Sequence, residues 1–159
     1  MTNTNMRRGF TMIELIFVIV IIGILAVIAL PKLSATRVDA KVSSIVANTK
    51  QVVNDAKQFY TAQGETAWGS AKVSDVTDVP LFSDTNCANQ VTNAGIVSTA
   101  IMYICGDDGD VVEIDANATH LEVKKGSDTT SEIAKAVQSD KAFVAIETAH
   151  RLGGVGIKR

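Results

Sequence analysis

Glu14 is the single charged side chain in an apolar run that covers residues 10–30. A carboxylate placed inside an apolar segment of that length costs several kcal/mol in lipid unless it finds a partner. Its chemistry is therefore that of an anion seeking a cation. Just before the run, Arg7 and Arg8 place a charge of +2 on the first nine residues, which end in Gly9. Cys87 and Cys105 have nothing near them at metal-ligand spacing. They read as free thiols in a reducing compartment or as a bridge in an oxidising one. Gly106-Asp107-Asp108-Gly109-Asp110 is acidic and glycine-rich. Calcium favours clustered oxygen ligands, but the string lacks the EF-hand spacing and its distal glutamate, so a hairpin turn without metal is the expectation. His120 and His150 lack a Cys or His at ligand spacing and read as surface or packing residues. No motif gathers Ser, His and Asp; neither an enzyme nor a cofactor is expected. Asp115-Ala116-Asn117-Ala118-Thr119 contains an N-x-T glycan acceptor with an acid two residues before the asparagine. That resembles the extended acceptor of bacterial periplasmic N-glycosylation, with a chance turn sequence as the alternative.

The elements that must position these residues follow from patterning. About 20 apolar residues suffice to cross a bilayer as a helix. Residues 10–30 therefore read as a signal peptide, a plain anchor, or something that also explains Glu14. The run is long for a signal peptide, and Ala26-Val27-Ile28-Ala29-Leu30-Pro31 at its end offers no A-x-A-like cleavage site. A plain anchor leaves the carboxylate without a purpose.

Arg7-Arg8-Gly9-Phe10-Thr11-Met12-Ile13-Glu14-Leu15 resembles the cleavage and methylation signal of prepilins and pseudopilins, the type IV pilin and type II secretion pseudopilin family. The resemblance covers roughly residues 6–60. It implies a leader, residues 1–9, cut after Gly9 by a prepilin peptidase, and N-methylation of Phe10. Glu14 becomes the fifth mature residue, able to pair with the Phe10 amine of a neighbouring subunit in low dielectric. Arg7 and Arg8 would hold the leader on the cytoplasmic side. Gly23 and Pro31 fall where the family carries helix-breaking residues, and residues 23–31 are the candidate segment to lose helicity in a filament. Gly23 serving close helix packing in the membrane is the alternative. The resemblance further implies an inner-membrane assembly platform and other pilin or pseudopilin subunits as partners. It places the chain as a single-pass bacterial inner-membrane protein, N-terminus cytoplasmic and head periplasmic, that later enters a pilus or pseudopilus. A head outside the membrane would have Cys87 paired with Cys105. A pilin, a secretion pseudopilin and a competence pseudopilin share the motif. The rival from another class is a membrane-tethered periplasmic binding protein that does not polymerise.

The rest of the chain predicts an α+β fold. Residues 10–30 form the membrane or filament-core helix. In residues 31–63 apolar side chains recur at gaps of three and four from Val38 to Tyr60, which marks an amphipathic continuation bent at Pro31 and capped by Gly64. Residues 64–159 form the head. Within it, residues 64–95 read as loop pinned by Trp68 and Val79-Pro80-Leu81-Phe82. Residues 96–105, 111–115, 120–124, 143–148 and 155–158 read as strands, and 131–139 as a short helix. The helix and head also differ in charge. Between residues 31 and 60 five basic residues face two acids; from Gly64 on, eight face fourteen. The overall net charge of −2 gives no sign of a nucleic-acid partner.

Overall fold

A computed structural model of the chain describes residues 9–97 and 101–153, and only the backbone at Leu30 and Pro31. The architecture is α+β: a long N-terminal helix and a small antiparallel sheet. The chain divides into two compact units, Met1–Arg37 and Val38–Arg159.

Helix α1 covers Met12–Ser70. The helix runs through Gly23 and Pro31. The residue with non-helical dihedrals is Gly64, at φ 81° and ψ 175°. That region is essentially reserved for glycine, so Gly64 does interrupt the helix where the sequence places its end. The helix resumes beyond it and stops at Ser70 instead. In the first unit the helix is apolar all round and its described apolar side chains are exposed, Phe10 at 90% and Ile13 at 75%.

In the second unit the helix is one-sided. Val42, Ile45, Val46, Val52, Val53 and Ala56 are buried, at the spacing of a single helical face. Short helix α2 (Val73–Val76) follows, then β1 (Leu81–Phe82) and β2 (Gln90–Val91). The region 64–95, expected as loop, thus carries a helical turn and a half, α2 and two short strands, because its apolar residues are spent on the core. Trp68, Val73, Val76, Val79 and Leu81 are all buried.

Strands β3 (Met102–Cys105), β4 (Asp110–Ala116) and β5 (His120–Lys125) form the middle of the sheet. With β6 (Ala149–Arg151) at the far edge, its order among the described residues is β2-β1-β3-β4-β5-β6, all antiparallel. Met102, Ile114 and Val123 oppose one another across three strands and are buried with the helix face in one core. Their neighbours Tyr103, Glu113 and Lys124 occupy the other face, as the two-residue period of a strand requires. Lys124 lies 3.0 Å from Glu122 and 3.9 Å from Glu113 and Asp115. The hydrogen bond to Glu122 first, and then the charges of all three carboxylates, raise its pKa above the ordinary lysine value. A register shift between Ile104 and Cys105 leaves Val111 as an extra residue on β4. The strand expected over residues 96–105 is shorter: Ile96 is buried outside the sheet, and residues 98–100 are not described.

Helix α3 (Glu132–Ser139) begins where the sequence places it, with Ser131 Oγ accepting the Ala134 amide at 3.1 Å. The strand expected over residues 143–148 is not formed. Asp140 caps a short helix α4 (Lys141–Val144), its Oδ1 accepting the amides of Ala142 and Phe143 at 2.7 and 3.1 Å. That cap takes the backbone groups a strand would need. Phe143 is fully buried from the helix instead. The last described strand is β6 (Ala149–Arg151), paired with β5. The strand expected at residues 155–158 lies outside the described residues.

Cys87 and Cys105 form a disulfide with a Cα–Cα distance of 6.1 Å. It ties the loop between β1 and β2 to the end of β3. The bridge closes a loop of 18 residues, worth about 3 kcal/mol in the chain-entropy treatment. Replacing both cysteines by serine should lower head stability by about that amount in denaturant titration. An unchanged midpoint would show that the bridge adds no constraint to the unfolded chain.

Candidate functional site: the N-terminal segment

Gly9 and Phe10 are exposed and precede α1. Thr11 is the residue at which the helix is capped. Its amide and its hydroxyl each donate to Glu14 Oε2 at 2.8 Å, and its Oγ1 accepts the Glu14 amide at 3.3 Å. This is the reciprocal capping box of Thr-x-x-Glu, which satisfies two helix-start donors at once. The negative side chain also lies at the positive end of the helix dipole. Glu14 is thereby fixed one turn from Phe10, with hydrogen bonds from its own chain and no cation on it among the described residues. The Thr-x-x-Glu spacing is readable in the sequence as a helix-start signature; reading Glu14 alone as the polar feature overlooks Thr11.

The remaining residues singled out from sequence divide as follows. Arg7 and Arg8 lie outside the described residues. Gly23 sits within α1, and an added Cβ there would meet nothing within 4 Å. Pro31 is within the helical run. All of these belong to the first unit.

In the second unit Gly106 to Asp110 forms the turn between β3 and β4, with the Gly106 amide donating to Gly109 O at 2.9 Å. This is the hairpin the sequence implied. Asp107 forms an ion pair with Lys41. Asp110 is buried and takes the Ser127 amide at 2.6 Å and the Ser127 hydroxyl at 2.8 Å. Among the described residues no three His, Cys, Asp or Glu side chains are grouped to hold a metal. His120 Nδ1 lies 2.7 Å from Thr119 Oγ1. His150 Nε2 lies 2.9 Å from Ile146 O, and its Nδ1 lies 3.5 Å from Lys57 Nζ. Both imidazoles are engaged locally. Asn117 is exposed at the turn between β4 and β5.

The geometry defines a class: a bare apolar helix, started by a capping box that holds its one carboxylate, joined in sequence to a small disulfide-bridged α+β head. Residues 4–30 match the family described as the prokaryotic N-terminal methylation motif. The chain is 36% identical over 79 residues to the "Fimbrial protein" of Neisseria meningitidis, covering 47% of this chain and 45% of that protein. It is 43% identical over 55 residues to the "Type IV major pilin protein PilA" of Myxococcus xanthus, covering 35% of this chain and 25% of that protein. It thus spans less than half the length of either relative. No solved structure matches the chain. By these comparisons the chain carries the prokaryotic N-terminal methylation motif and is similar to type IV pilins over less than half of its length.

Proposed function

We propose that the chain is a structural subunit of a type IV pilus-like filament, with no catalytic role. The observation that carries the reading is the N-terminal segment. A helix whose apolar side chains are uncovered, with a single carboxylate near its start, needs lipid first and then other copies of the same helix. Prepilin peptidase removes residues 1–9, and Phe10 receives the methyl group. Its amine is positive at neutral pH. Arg7 and Arg8 keep the leader cytoplasmic while the head reaches the periplasm through a single membrane pass. On the assembly platform Glu14 leaves its Thr11 cap to meet the Phe10 amine of a neighbouring subunit. Gly23 offers a notch open to close approach from another helix, and residues 23–31 are where the helix loosens as subunits pack. The similarity to a fimbrial protein and to a type IV major pilin supports a pilin over a secretion or competence pseudopilin.

The test is the mature N-terminus. Mass spectrometry of membrane or filament fractions should find the chain beginning at methylated Phe10. A retained leader in a host with active prepilin peptidase would rule the reading out.

A further inference from the structure

We infer that Asn117 is the acceptor of an N-linked oligosaccharide. Among the asparagines of the chain, Asn117 alone is followed two residues later by a hydroxyl side chain, Thr119, and Asp115 lies two residues before it. The structure puts this string at the tip of the β4–β5 hairpin, where Asn117, Ala118 and Thr119 are all exposed. The same string in the core or along a central strand would be closed to any transferase.

The local geometry presents the side chain in a defined way. Asn117 Oδ1 accepts the amides of Thr119 at 3.2 Å and His120 at 3.0 Å, an Asx turn. The loop backbone is pinned as well. Trp68 Nε1 donates to Asn117 O at 2.9 Å, the Asn117 amide to His120 O at 2.9 Å, and the Leu152 amide to Thr119 O at 3.1 Å. Asn117 is therefore held on a rigid tip whose outer surface carries only short side chains. A bulky hydrophilic group there stands clear of the core.

The donor is a polyisoprenyl-diphosphate-linked oligosaccharide. The Nδ2–C1 glycosidic bond forms as the C1–O bond to the diphosphate breaks. The lipid diphosphate leaves, and one Nδ2 proton passes to a base of the transferase. Such transfer takes place outside the cytoplasm, so the inference rests on the exported-head reading above.

The experiment uses full-length protein purified from the native membrane. Cleavage before aspartates releases residues 115–127, and mass spectrometry should find that peptide heavier by hexose or N-acetylhexosamine units on Asn117. Asn117→Asp keeps an acceptor oxygen for the turn and should remove the sugar with the melting temperature of the head preserved. Thr119→Ala should abolish modification, and Thr119→Ser should retain it. A glycan that persists in Thr119→Ala overturns the acceptor chemistry. The mature N-terminus is read from the same sample. A bare Asn117 in a chain that begins at Phe10 overturns this inference and leaves the filament reading standing. A bare Asn117 in a chain that keeps its leader overturns both. A glycan on a chain that keeps its leader upholds the acceptor and overturns the filament reading.

Discussion

Subunits carrying Glu14→Ala are expected to reach the membrane at normal abundance and to yield no ordered filaments. Insertion survives because the change removes a polar group from the apolar segment, where a carboxylate costs roughly 2.5–3.5 kcal/mol. The head survives because its core is built from Val42 onward in the second unit. Assembly fails because the neighbour's Phe10 amine is left buried and unpaired, a loss of about 3–5 kcal/mol at each subunit contact. Glu14→Gln should be nearly as harmful: it keeps the shape, retains an oxygen for the Thr11 hydroxyl and amide, and loses the charge. The pair of variants thus separates helix capping from ion pairing. If capping were the whole role, Gln would restore filaments and Ala would cost only about 1 kcal/mol of helix stability. The measurement is filament yield beside membrane abundance. Normal filaments from both variants would contradict the pairing role. Loss of the protein from the membrane would shift the role of Glu14 to insertion or recognition.

The N-terminal segment was legible because its signal is chemical. A single carboxylate in an apolar run has few uses, and Gly9, Phe10 and Glu14 stand at fixed spacing. The hairpin at Gly106-Asp107-Asp108-Gly109-Asp110 was legible for a similar reason: turn chemistry is local, and β-branched residues flank it. Thr11 was missed because its partner is three residues on, and the capping box shows only when both are read together. The errors in the head have a common physical origin. Composition marks residues 65–70 as loop, yet Trp68 is fully buried, and packing it on Phe59 and Tyr60, which precede the break at Gly64, outweighs weak local preferences. At residues 143–148 the aromatic and β-branched content suggests a strand, and Asp140 overrides it with two capping bonds. Tertiary packing and a single side-chain cap each reach further than the local propensity of the residues they control.

Trp68→Ala is expected to be among the most destabilising single changes in the head. The glycine at position 64 turns the chain with φ 81°. The turn and a half of helix beyond it carries Trp68 to Phe59 and Tyr60, with ring centroids 6.3 Å apart in both pairs. The indole is fully buried, and its N–H reaches the Asn117 carbonyl at 2.9 Å. It thereby links the end of α1 to the β4–β5 turn. Truncation to alanine removes the aromatic contacts, opens a cavity and leaves that carbonyl without its donor. Large aromatic truncations of this kind cost about 3–5 kcal/mol. For a head of this size that corresponds to a fall of roughly 10–20 °C in melting temperature. Trp68→Phe keeps most of the volume and loses the N–H, so its cost should be nearer 1–2 kcal/mol. Gly64→Ala, which must hold alanine in a glycine region of the backbone, should cost about 1–3 kcal/mol through the same link. Near-UV dichroism of the tyrosines, followed on heating the detergent-solubilised chain, gives the order. Trp68→Ala melting as wild type would mean that residues 65–70 are not anchored to the head, and that the β4–β5 turn holds its shape without the indole.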